Sequence, residues 1–336
     1  MGAGELTAPG VTGQAALLMP EETADFGTAL WELIRNVLET LRPDLREASC
    51  ICLGLMATVL LVSLVQGIWQ GTKKTANLAG TAAVCASLLL SANSMILLGS
   101  ETVEKLCEYG KLLLPVMTSA LAAQGAGTAS AALYTGTAVF IALLSRLVAR
   151  LLVPMVYLYL ALAAANSATG ESMLKKMADL IKWVLVWCLK TVVTVFTGYL
   201  GLTGIITGTT DGAILKVAKS AISTAVPVVG GVLSGAAESV LAGAALVKNA
   251  AGIYGILAVL AIFLEPFLRI GIHYLMLKIT AAVSGIFGCK EMTELIGCFS
   301  EAMGFLLAMT GSVSGSIVCS PSLPEVSGVN KPLSPG

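Results

Sequence analysis

The chain has 336 residues, room for one large domain or two ordinary ones. Hydrophobic residues make up 56% of it, charged residues only 12%, and the mean hydropathy is +0.88. A soluble domain carries about 25% charged residues, so an ordinary cytosolic protein, a disordered chain and a coiled coil are all excluded. Lys+Arg and Asp+Glu are equal at 20 each and no basic run occurs, which excludes a nucleic-acid binder. The apolar runs are long and do not alternate, which argues against a transmembrane barrel. The expected fold is all-α: a polytopic transmembrane helix bundle of about 7–9 spans, with re-entrant segments where apolar runs are short.

Residues 1–46 form a polar N-terminal segment. Residues 1–24 hold no basic stretch ahead of an apolar one, so membrane insertion is expected to use internal spans. Within this segment 27–42 reads as an amphipathic helix. Leu30, Leu33, Ile34, Val37, Leu38 and Leu41 share one face, with Glu32, Arg35 and Glu39 opposite. Such a helix lies on a membrane, docks on a partner or packs on the protein's own spans. Pro43 is expected to end it.

An N-terminal helix pair occupies 47–100, with spans at roughly 47–69 and 77–98. Trp69 fits an interfacial anchor, and Lys73 and Lys74 follow it. The positive-inside rule places 70–76 in the cytoplasm. The N-terminus and an acidic loop at 99–111 then lie outside. Further candidates are 112–128, 131–149, 151–167 and 183–206, then 224–241, 247–264, 266–286 and 295–317. The Lys-rich stretch 175–182 conflicts with a simple odd–even count of these spans. The Pro-rich tail, 319–336, is expected to be disordered.

The two series, 112–206 and 224–318, read as two copies of one membrane repeat. Pro115 and Pro227 are 112 residues apart, as are Pro154 and Pro266. Nine identities fall in the forty ungapped positions between these prolines. Met177–Ile181 and Met292–Ile296 match further on, after small insertions. Three spans per copy would make the repeats inverted, four parallel.

The copies differ in charge. Glu238, Lys248 and Glu265 stand where the other copy has Ala126, Gly136 and Val153. A charge at membrane depth costs a few kcal/mol, so it is paired, snorkels or lines water. Arg269 follows Glu265 at the i,i+4 spacing of a salt bridge, and His273 extends that face by one turn. The stripe marks either a membrane boundary or a pathway. Glu238, Lys248, Asn249, Glu265 and Arg269 are therefore the candidate pathway or assembly residues. Lys190 lies inside a predicted span, and Arg146 and Arg150 read as interfacial anchors.

The many glycines, Gly198 to Gly235, read as helix-packing positions, since no GK[ST] follows and no strand precedes them. The eight cysteines fall mostly in apolar runs and behave as small hydrophobes. With a single histidine, no GxSxG and no metal-ligand cluster, the sequence contains no catalytic constellation. Neither an enzyme nor a bound cofactor or metal is expected.

Several segments carry a family resemblance. Thr197-Gly198 through Gly204, Asp211-Gly212, the run Ala225 to Gly230 and the run Leu246 to Gly252 stand out. With Leu112–Pro115 and the Pro266 segment, they resemble the stage III sporulation protein AE family of endospore-forming bacteria, over about 45–318. The resemblance implies a multi-pass protein of the mother-cell membrane surrounding the forespore. It implies a non-enzymatic subunit of a channel-like or secretion-like complex needed for forespore development. The implied partners are the other membrane proteins of the same operon, its cytoplasmic ATPase, the lipid bilayer and, indirectly, a forespore membrane channel protein. The family carries no catalytic residues to transfer, and its members usually begin with a leader. An autonomous secondary transporter for a small solute is the alternative that the repeat and the midmembrane charges allow.

Overall fold

A computed structural model describes residues 26–68, 73–123, 127–206, 250–287 and 289–322. The helices are α1 (Phe26–Thr40), α2 (Arg42–Ile68), α3 (Lys73–Ala123), α4 (Gly127–Leu147), α5 (Val153–Thr169), α6 (Ser172–Ile206), α7 (Ala250–Ser284) and α8 (Lys290–Ser322). No strand occurs among the described residues. Among the described residues six stretches are long and apolar enough to cross a membrane: Arg42–Ile68, Thr75–Pro115, Thr135–Thr169, Ser172–Tyr199, Leu257–Phe287 and Lys290–Val318. The chain is an all-α polytopic membrane bundle.

Three pairs of predicted spans are single helices. α3 runs unbroken through 77–98, the expected loop 99–111 and most of 112–128, with Pro115 inside it. α7 likewise joins most of 247–264 to 266–286 across Pro266. The pair 131–149 and 151–167 is joined by a π-helical turn, Val148–Leu152, where the Val153 N–H reaches back to the Val148 carbonyl. Pro154 explains that turn. Proline cannot donate to the carbonyl four residues earlier and its ring crowds it, and one wider turn relieves both. Membrane helices tolerate proline because neighbouring helices restore the lost interactions. The amphipathic helix ends at Thr40, just before Pro43 as expected, and Pro43 itself sits in the first turn of α2, where a missing N–H costs nothing. The tail expected from 319 is helical as far as Ser322.

Helix directions follow from paired contacts. A Cβ built on Gly80 would meet Met292, one on Gly99 would meet Leu306, and one on Gly110 would meet Ile317. Numbers rise together, so α3 and α8 are parallel. The ion pairs Lys175–Glu294 and Lys182–Glu301 keep a constant offset, so α6 is parallel to α8 as well. Tyr157 bonds Asn93, while Ile141 meets Gly110, so α4–α5 runs against α3. Consequently α3, α6 and α8 all start on one side, here the turn side. Lys73, Lys74, Lys175, Lys176 and Lys290 lie there together. Three crossings precede 175–182 where five were expected, because 77–128 and 131–167 each hold one span instead of two. Three is odd, so this Lys-rich stretch shares the side of Lys73 and Lys74 and the expected conflict does not arise.

Two charged layers bound the bundle. One is the turn side. The other, the extension side, holds Asp44, Arg46 and Glu47 of α2, Glu101–Lys111 of α3, Arg146 and Arg150 near the π turn, and Glu265 and Arg269 of α7. Between them run 48–68, 151–169, 270–287 and 290–307, each 18 to 21 residues. At about 1.5 Å per residue that is roughly 27–32 Å, the thickness of a hydrocarbon core. Large apolar side chains left exposed on these stretches, such as Leu61, Leu64, Leu158, Leu275 and Ile279, are where lipid would lie.

α8 forms the centre. In the 18-residue apolar stretch of its span 78% of the residues are buried, against 17–44% in the corresponding stretches of the other five. Leu295, Ile296, Phe299, Ala302 and Met303 are shut off almost completely by neighbouring helices. α1 docks outside this core: Leu33, Val37 and Leu41 pack with Ala261, Leu264, Leu268 and Ile272 of α7. Of the three possibilities for the amphipathic helix, packing on the protein's own span is the one adopted. The α5–α6 turn is set by Gly170, whose φ of 71° and N–H to the Asn166 carbonyl close the helix. A Cβ there is strained but meets nothing. Gly170→Ala is expected to cost about 1 kcal/mol, read as a lowered melting temperature in detergent; an unchanged melt would contradict a strained turn.

Candidate functional site

Of the five residues singled out from sequence, Glu238, Lys248 and Asn249 lie outside the described residues. Glu265 and Arg269 are brought together on the extension side. The Arg269 Nε is 3.1 Å from Asp44 Oδ1, an ion pair whose N–H is not aligned for a hydrogen bond. Glu265 feels the charges of Asp44, Arg269 and Lys105. Two acids and two bases from α2, α3 and α7 thus meet at one rim. His273 does not continue the stripe: it is buried, and its Nδ1 lies 3.0 Å from the Arg269 carbonyl of its own helix. Of the stripe read from sequence, Glu265 and Arg269 meet Asp44 at the rim, while His273 is a packed side chain.

Asp44 also fixes the corner where α1 turns into α2. Its ion pair and the Leu33/Val37/Leu41 contacts hold α1 to α7 together. Asp44→Asn is expected to cost about 1 kcal/mol, the modest value of a partly exposed pair. Limited proteolysis within α1 should accelerate several-fold; an unchanged rate would show that the apolar contacts suffice.

A second polar cluster lies deeper and was not anticipated. Lys182 Nζ is 2.7 Å from Glu301 Oε1, and the Tyr159 hydroxyl donates to Glu301 Oε2 at 2.6 Å. Two turns nearer the turn side, Lys175 Nζ is 3.2 Å from Glu294 Oε2. Both lysines are seven residues apart on α6, and both glutamates seven apart on α8. Two parallel helices with that spacing present a ladder of two rungs. Depth follows from helix rise. Glu301 is eleven residues from the start of α8, Lys182 ten from the start of α6, and Tyr159 ten from the end of α5. Each distance is about 15 Å, half of a core about 30 Å thick. The seven-residue spacing is visible in the sequence; the pairing across 119 residues is not.

The remaining polar positions are quieter. Lys190, in a predicted span, is exposed and level with the extension-side layer. Of the glycines read as packing positions, Gly198 has open space around it; Gly136, which was not among them, faces the Tyr199 ring. Cys50 and Cys52 are free thiols. At the α7–α8 turn, burial and the Glu291 charge push the Cys289 thiol above its ordinary range. Among the described residues no three His, Cys, Asp or Glu side chains gather as a metal site would need.

A family model described as stage III sporulation protein AE matches residues 20–320. The chain belongs to the stage III sporulation protein AE family. Among curated relatives is "Stage III sporulation protein AE" of Bacillus subtilis (strain 168). It is 24% identical over 231 residues, covering 68% of this chain and 58% of the relative. The chain therefore matches less than two thirds of that relative's length. No solved structure matches. Membership makes this a sporulation protein, and the helices make it a membrane protein.

Proposed function

We propose that the chain is a non-enzymatic integral membrane subunit of a mother cell-to-forespore channel or secretion-like complex. Its site would be the mother-cell membrane surrounding the forespore. Family membership across 20–320 carries this reading. The six candidate spans among the described residues support it, because a conduit subunit must be polytopic. The chain has no phosphate-binding motif, so a cytoplasmic ATPase from the same operon would supply the energy. The operon's other membrane proteins would bind its polar ends, among them the Asp44–Arg269–Glu265 rim. Glu238, Lys248 and Asn249 remain candidate assembly positions in this proposal.

The duplication fits as an ancestry. α5 and α7 each carry one of the matched prolines near the extension side, and each is followed by a helix on the reverse course. Equivalent helices point the same way, so copies of this kind would be related by an axis along the membrane normal. The deciding experiment is affinity purification from membranes of sporulating cells. Recovery of the operon's membrane proteins and ATPase is the expected result. A lone, monodisperse protein would overturn the assembly reading. One observation favours a secondary transporter instead: the Lys182–Glu301 pair at mid-membrane. Solute uptake by liposomes holding this protein alone would establish that alternative.

A further inference from the structure

The Lys182–Glu301 pair combines two properties that rarely coincide. Lys175 and Lys182 fall on the inward stripe of α6, in helical register with Ala178, Leu185, Leu189 and Phe196, all buried. Residues on that stripe point at α5 and α8, away from lipid. Yet the Lys182 and Glu301 side chains are 40% and 34% exposed, and Lys175 and Glu294 are 54% and 37% exposed. A side chain that faces the bundle yet remains exposed borders an open gap between helices. Here the four charges lie along the seam of α6 and α8, from the turn side to mid-depth.

What fills such a gap is decided by cost. Acyl chains against two lysines and two carboxylates would desolvate charge, at a few kcal/mol for each. Water costs nothing comparable. Intramembrane charges accordingly face bundle interiors or water-filled cavities. The ladder also starts at the Lys-rich end, where bulk water begins. We infer that the groove between α6 and α8 is a water-filled crevice, open to the turn side and ending at the Tyr159–Glu301–Lys182 cluster. Tyr159, itself buried, forms its floor and edges onto Phe305, which begins the apolar seal above. This crevice does not depend on whether the chain serves a complex or transports alone.

A native reporter sits at its inner end. Cys298 is partly buried, one turn before Glu301, and lies beside both Tyr159 and Lys182. The test uses the full chain in sealed vesicles with the other seven cysteines replaced by alanine. A membrane-impermeant trimethylammonium-ethyl methanethiosulfonate is applied from the turn side. The control is Leu61→Cys, on the lipid face of α2, with Cys298→Ala. Cys298 is expected to react at least ten-fold faster than the control, since thiolate forms only where water reaches. Equal or slower reaction would overturn the crevice. If the cysteine-depleted chain does not fold, the wild-type protein is labelled and mapped by peptide. Modification of Cys298 with buried Cys107 spared supports the inference, and sparing of both sinks it.

Discussion

Lys182→Met is expected to destabilise the protein more than Glu301→Gln. Removing one partner from a buried ion pair costs about 3–5 kcal/mol, because the other charge is stranded. Here roughly a third of each side chain is exposed, and screening reduces the figure to about 2 kcal/mol. The asymmetry comes from chemistry. A lysine left alone can extend its four-carbon stem toward the turn side. A glutamate cannot travel, and Tyr159 holds it at mid-depth. Glu301→Gln also keeps an acceptor for the Tyr159 hydroxyl. Thermal melts in detergent should rank wild type above Glu301→Gln above Lys182→Met. The double reversal Lys182→Glu with Glu301→Lys should recover part of the loss. Melts that leave all variants level would remove the ladder from the account of stability.

Phe299→Ala is expected to be the most damaging single apolar truncation. The side chain is fully buried at the middle of α8, enclosed by the helices around it. Cutting an enclosed phenylalanine leaves a cavity that rigid neighbours do not fill, at about 3–5 kcal/mol. Leu61→Ala makes a useful contrast. That leucine is 64% exposed on α2, where acyl chains would follow the shortened surface. Its expected cost is under about 0.5 kcal/mol. Folded yield by size-exclusion chromatography should separate the two. Similar losses at both positions would contradict a core centred on α8.

Much of this architecture was readable from pattern. The period of Leu33, Val37 and Leu41 gave the amphipathic helix, and its docking face is that same stripe. Family resemblance rested on Gly- and Pro-bearing runs and is matched across 20–320. Span counting divided single helices near Pro115, Pro154 and Pro266. In water a mid-helix proline costs about 3 kcal/mol, but a packed membrane helix absorbs it. The charges of 101–111 misled in the same way: they mark where α3 leaves the membrane, not where it ends. Glu265 and Arg269 were legible because they are neighbours on one helix. Glu301 was not, because its partners arrive from α5 and α6 and only the parallel register of α6 and α8 unites them.

The central position of α8 bears on biogenesis. Helices emerge from the ribosome in chain order, and α8 follows the seven other described helices. The element that fills the middle is thus synthesised after its surroundings. Until it arrives, α3, α5, α6 and α7 have no common surface to close upon, and Lys182 has no counter-ion. α8 is also a poor candidate for independent insertion, since Glu291, Glu294 and Glu301 weigh against its apolar half. Its natural route into the bilayer is through a waiting, half-built bundle whose lysines receive those carboxylates. Chains stalled before residue 290 should therefore persist as open intermediates that quality-control proteases recognise.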